Sequence, residues 1–222
     1  MSDTLIVLSV QSGFDASTLV NCWFTLVEQG RSVTVATPKG QIAKPDEGSF
    51  SAARIGDDIA RRMNLQEQLE HLDDLENPRS LERLSLVSIN LDSVLLIGSP
   101  DNLPQDLQES TALGNILKRV NAQNGLIGAV GNGMAGLLPA RHEGNWLFAG
   151  YRLARPDNAM LCQQLQENGA GLAALTEPVV IDPPLFTAGE EGAVRLAAEF
   201  ARTLKRRAAL DKNQCGSSSS CG

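Results

Sequence analysis

The run Thr4 to Val10, "TLIVLSV", is almost unbroken apolar sequence rich in β-branched residues, and "QSG" closes it. A short continuous run of this kind predicts a strand buried on both faces. From Ala16 the period changes. Leu19, Cys22, Trp23, Leu26 and Val27 recur at helical spacing, and Gly30 supplies a C-terminal stop. Ser32 to Thr37, "SVTVAT", predicts a second strand, ended by Pro38-Lys39-Gly40. Strand, helix and strand in this order make a βαβ unit, with parallel strands and a right-handed crossover.

Ser49 to about Leu75 is polar and charged, with Ile55, Ile59, Met63, Leu65, Leu69 and Leu72 as its apolar positions. One or two helices lying on a surface fit that pattern, and "ENPRS" interrupts them. "SVLLIGSP", Ser93 to Pro100, predicts a third buried strand. The next helix carries Leu113, Ile116, Leu117 and Val120 on one face, and "LIGAV" is a fourth strand that runs into a glycine-rich corner. Asn145 to Ala154 reads as a strand or hairpin region and Pro156 to Asn168 as a helix. "EPVVID" and "LFTAG" read as short strands around Pro183-Pro184. Glu190 to about Leu210 is a last helix, with Val194, Ala197, Ala198, Ala201 and Leu204 at helical spacing. Residues 211–222, with the low-complexity "KNQCGSSSSCG", are expected to be a disordered tail. The alternation predicts a single α/β domain over residues 1–210. It is doubly wound, with a mostly parallel sheet and helices on both faces, a flavodoxin-like three-layer sandwich.

Charge and composition narrow the function classes. The chain has 222 residues, 19 Lys and Arg against 26 Asp and Glu, and a formal charge of −7. That balance disfavours direct nucleic-acid binding through a basic face. Cys22, Cys162, Cys215 and Cys221 have no zinc-ligand spacing, and His71 and His142 are the two histidines, so no metal and no cofactor is expected. Cys22 and Cys162 fall within apolar helical patterns and read as buried free thiols. This suggests a reducing, cytoplasmic setting. The opening "MSDTLIVLSVQSGFD" lacks the basic region of a secretory leader, and no window is long and apolar enough for membrane insertion. His71 stands among Glu70, Asp73 and Asp74, the pattern of a solvated helix face.

The corner "LIGAVGNGMAG", Leu126 to Gly136, contains Gly131-Asn-Gly133-Met-Ala-Gly136, which counts as GxGxxG. In a dinucleotide site such glycines bring backbone close to a pyrophosphate at a helix N-terminus. Here three strands precede the corner, Pro139 cuts short the helix after it, and Asp157 follows Pro156 at the start of a helix. A nucleophile elbow fits the position better. That turn thrusts its central side chain into the cleft at the carboxyl ends of the strands.

The order of elements then resembles the ThiJ/PfpI superfamily, the class I glutamine amidotransferase-like proteins. "GRSVTVATPKG" is similar to that family's second strand and turn. "LDSVLLIGSPDNLPQDL" is similar to its third strand and the loop ending in Asp-Leu. "IGAVGNGMAGLL" resembles the elbow, and "VVIDPPLFTAGEEGAVRLAAEFARTL" the closing strand pair and last helix. The likeness spans residues 4–207, and the charged segment 49–90 is most like the branch of glyoxalase III and stress-chaperone proteins. The resemblance implies a cysteine nucleophile at Gly131, a histidine at Asn132, a glutamate near Thr18 and oxyanion-binding N–H groups where Pro100 stands. None of the four residues present can fill its role: glycine has no side chain and proline no N–H. A catalytically degenerate subgroup has a similar Ala-Val-Gly-x-Gly elbow and a cysteine like Cys22. It implies a subunit of a multiprotein complex.

Two functions follow as expectations. The first is a non-catalytic scaffold or regulatory subunit, a homo-oligomer with possible protein-complex partners. The second is a glyoxalase III or deglycase-type hydrolase, or a small-molecule binder, with a relocated nucleophile in the same cleft. Cys22, Ser99 and Ser12 are the candidate replacements. Glu143, Asp182 and Glu190 read as solvated or capping groups.

Overall fold

The apolar runs become strands because each alternates between two separate cores. Ile6 and Leu8 of the first strand, Leu95 and Ile97 of the third, and Leu126 and Val130 of the fourth face one layer. Leu5, Val7, Val94, Leu96, Ile127 and Ala129 face the other. The computed structural model describes residues 3–51, 54, 56, 58–87 and 91–217.

The strands are β1 (Asp3–Leu8), β2 (Ser32–Thr37), β3 (Arg79–Ser80), β4 (Ser93–Ile97), β5 (Leu126–Val130), β6 (Arg141–His142), β7 (Asn145–Trp146), β8 (Arg152–Leu153), β9 (Gly171–Leu172), β10 (Val179–Asp182) and β11 (Leu185–Ala188). The α-helices are α1 (Ala16–Glu28), α2 (Ile59–Glu70), α3 (Asp73–Glu76), α4 (Leu81–Leu86), α5 (Gln105–Gln108), α6 (Thr111–Ala122), α7 (Ala159–Glu167) and α8 (Ala193–Ser217). The central sheet has seven strands in the order β10-β11-β5-β4-β1-β2-β3. All neighbours are parallel except β10 and β11, which pair antiparallel. This is the mostly parallel, doubly wound sheet expected from the sequence.

Each covering helix buries the stripe that its spacing marks. α1 places Leu19, Cys22 and Leu26, and α8 places Leu196, Ala197, Phe200, Ala201 and Leu204, on one face of the sheet. Phe186 of β11 meets Phe200 edge-on, with centroids 5.4 Å apart. α4, α6 and α7 cover the other face with Leu81, Leu113, Ile116, Leu117, Val120, Leu161 and Leu165. There Trp146 stands edge-on to Phe148 and its indole N–H donates to Leu137 O at 2.9 Å.

Differences from the sequence reading are local. β1 stops at Leu8 and β4 at Ile97, so Ser9, Val10 and Ser99 belong to loops at the carboxyl edge of the sheet. Ser49 begins no surface helix; it lies buried in a 3-10 turn, Glu47–Phe50. α8 continues to Ser217, past Leu210 where the sequence places its end. Residues 218–222 of the expected tail lie outside the described residues, as does Ile55.

Candidate functional site

The corner forms where β5 ends. Val130 is extended, with φ −120° and ψ 130°, and Gly131 turns the chain at φ +54°. That left-handed conformation costs a residue with a Cβ roughly 1–2 kcal/mol. Gly131–Leu137 continues as a 3-10 helix in which every residue is buried. The turn therefore has an elbow's shape and stands at the carboxyl ends of parallel strands, where α/β folds place their ligands.

The other glycines of the motif serve packing. A Cβ on Gly98 would lie 2.1 Å from Gly133 N, and one on Gly133 would lie 2.7 Å from Leu96 O. Backbone meets backbone here, and the corner presses against the end of β4. A buried 3-10 turn presents no open helix N-terminus to a pyrophosphate, so this contact accounts for the GxGxxG count.

Asn132, where the family resemblance puts histidine, is a staple. Its Nδ2 donates to the carbonyls of Ser99, Pro100 and Asn102 at 3.1, 3.3 and 3.5 Å. A side-chain amide takes up no proton at neutral pH and does not serve as a general base. Pro100 thus contributes a carbonyl to the staple. Ser99 is buried, and its hydroxyl donates to Asp46 while accepting from the N–H groups of Asp101 and Asn102 at 3.2 and 3.0 Å. Burial alone would raise the Asp46 carboxyl. Hydrogen bonds from Ser99, Gly48 and Asn102, with the nearby Arg54 charge, outweigh it and hold the group below its ordinary value. A carboxylate held low is a weak base, so the Ser99–Asp46 pair is a loop clamp. Ser12 donates its N–H to Ser9 Oγ at 3.0 Å, and its hydroxyl donates to Gly13 O at 3.4 Å.

Cys22 lies wholly buried in the α1 stripe, and burial first, then the Asp15 charge, push its thiol up to about 12. Burial also raises Cys162, whose Sγ donates to Pro156 O at 3.1 Å. Neither supplies a thiolate near neutral pH. Thr18 is buried near the N-terminus of α1 and donates its N–H to Asp15 Oδ1 at 2.7 Å. His71 closes α2 on an exposed surface. Glu143 is exposed, and Asp182 accepts the Arg152 N–H at 3.0 Å.

Three charged residues that the sequence reading did not assemble meet at the corner. Asp15 caps α1, is nearly buried, and donates its own N–H to Gly98 O at 2.9 Å. Glu190, opening the 3-10 turn Glu190–Gly192 after β11, places Cγ 3.1 Å from where a Gly131 Cβ would stand. Arg54 bridges the two, with Nη1 at 3.5 Å from Asp15 Oδ2 and Nη2 bonded to Glu190 Oε2. Glu190 is therefore no simple solvated or capping group. Burial, reinforced by Asp157 and Asp15, raises its carboxyl despite the hydrogen bond and charge of Arg54. A cavity of about 480 Å³ between α1 and α2 is lined by Arg54, and one of about 270 Å³ by Glu190, Asp157 and Arg155. Among the described residues, no group of three His, Cys, Asp or Glu side chains could hold a metal ion. Among the same residues, no helix is long and apolar enough to cross a membrane.

A mostly parallel sheet wound on both sides, with an elbow at its carboxyl edge, is the flavodoxin-like α/β fold of solved DJ-1/ThiJ/PfpI proteins. In sequence the chain is similar to human glutamine amidotransferase-like class 1 domain-containing protein 1, with 28% identity over 198 residues, 88% of this chain and 82% of that protein. No family model matches the chain. Its fold is that of Candida albicans glyoxalase III, with a TM-score of 0.73 at 14% identity, covering 90% of this chain and 95% of that one. Drosophila melanogaster DJ-1beta aligns with a TM-score of 0.64 at 20% identity, over 92% and 91% of the two chains.

Proposed function

We propose that this protein is a non-catalytic member of the ThiJ/PfpI superfamily, a cytoplasmic scaffold or regulatory subunit that works through protein–protein contacts and self-associates. Residues 1–210 form its working domain. The observation that carries the reading is Gly131: the elbow is formed and its central residue has no side chain. Around it Asn132 and Ser99 are engaged in structural bonds, and the Cys22 thiol is held up near 12.

Assays with methylglyoxal, a glycated amine and glutamine test the catalytic half of this reading. No turnover above the protein-free rate is expected. Turnover abolished by replacing one side chain would overturn it. Affinity capture with identification of the bound proteins tests the scaffold half. The cavity beside Glu190 favours a second reading, a small-molecule binder in the same cleft. Thermal shifts across a panel of carbonyl compounds would support that alternative, and a flat panel would remove it.

A further inference from the structure

We propose that Arg54 is a built-in occupant of the cleft, closing the corner at Gly131 from within the same chain. This rests on the reading of the corner as an elbow without a nucleophile. A glycine there leaves room that a side chain would take, and the Glu190 side chain reaches to within 3.1 Å of that place. Glu190 and Asp15 come from separate elements, one from the 3-10 turn after β11 and one from the cap of α1. Two carboxylates beside a buried turn repel, and a cation between them relieves the repulsion. Arg54 supplies it, bonding both at once as a guanidinium can.

The chain leading to Arg54 is pinned across the carboxyl edge of the sheet. Pro45 pairs with Phe14 in a parallel bridge, and Asp46 donates its N–H to Phe14 O at 2.9 Å. The Asp46 carboxylate holds Ser99 and Asn102 in the loop after β4. Ser49 Oγ accepts the Ala16 N–H at 3.1 Å and donates to Phe14 O at 3.2 Å. Residues 45–51 thus form a strap anchored at the ends of β1 and β4, and the Arg54 N–H bonds back to Ser51 O at 3.0 Å. Arg54 lines one hollow, and its partner Glu190 lines the other. Their ion pair links a lining residue of one hollow to a lining residue of the other. A small electrophile reaches position 131 only by displacing a guanidinium from two partly or fully buried carboxylates.

The test places a thiol at the corner as a reporter. In the full chain with Cys215→Ser and Cys221→Ser, Gly131→Cys is titrated with iodoacetamide over a pH series. The high-pH plateau rate is compared, so that a change in thiol pKa does not enter. The plateau should lie at least ten-fold below that of glutathione, and adding Arg54→Ala should raise it at least ten-fold. Arg61→Ala, which leaves the pair intact, should not change it. Equal plateau rates with and without Arg54 would overturn the proposal. Should Gly131→Cys not fold, Arg54→Ala in the otherwise native chain serves instead. Hydrogen exchange of the Gly131–Leu137 amides should then rise at least five-fold, and unchanged exchange would overturn the strap. Turnover by the native chain would contradict the non-catalytic reading and leave the strap standing. Equal rates would do the reverse.

Discussion

Gly131 meets two demands, one of backbone and one of space. Its φ of +54° disfavours any residue with a Cβ, and such an atom would stand 3.1 Å from Glu190 Cγ. Gly131→Ala should therefore lose roughly 1–2 kcal/mol, read from urea denaturation. Glu190→Ala in the same chain should return the steric part and leave the backbone part. The two carboxyls with opposite shifts predict opposite pH responses. Asp46 is held low in the fold, so its contribution is present above the unfolded value of about 3.9 and is lost as pH falls through the folded value. Asp46→Asn should cost about 1 kcal/mol at pH 7, with the difference shrinking toward pH 3. Glu190 is held high, so the fold favours its protonated form. Native stability then drops as pH rises from about 4.3 through the folded value. Glu190→Gln should lack that drop and gain on the parent between pH 4 and pH 8 in paired denaturation curves.

At the scale of elements, the loop after β4 and the turn after β5 are one unit. Asn132 bonds three carbonyls of that loop, and Gly98 and Gly133 touch backbone to backbone. Gly98→Ala would drive a Cβ to 2.1 Å from Gly133 N, where no flexible side chain can yield. It should abolish folding or cost more than about 3 kcal/mol, seen as loss of the cooperative denaturation transition. The four long parallel strands, the main helical stripes and the elbow were legible in the sequence because each rests on local periodicity and on glycine placement. The Asp15–Arg54–Glu190 constellation was not. Its members belong to three separate elements, and Arg54 comes from a segment whose polar pattern resembles ordinary solvated helix. The family resemblance points to Thr18 for a carboxylate, whereas the helix cap three residues earlier, Asp15, carries one. Nothing in spacing shows which loop the topology folds back across a cleft.

For the molecule as a whole, the doubly wound sheet separates two cores that meet different helices, α1 and α8 on one side and α4, α6 and α7 on the other. Phe200→Ala, in the first of these, should cost about 3–5 kcal/mol in denaturant while leaving the corner's bonding groups in place. The formal charge of −7 is carried by a chain whose proposed work is contact with other proteins. Self-association is checked by sedimentation, where a mass of twice or more the 23.7 kDa chain is the expected result. The seam between Gly98 and Gly133 has a wider consequence. It fixes the path of the turn through main-chain contact and the Asn132 side chain, none of which involves a side chain at residue 131. Reactivity and foldability are thus separable at this turn: a functional group can be granted or withheld there, and the cost stays within one residue's backbone and one neighbouring carboxylate.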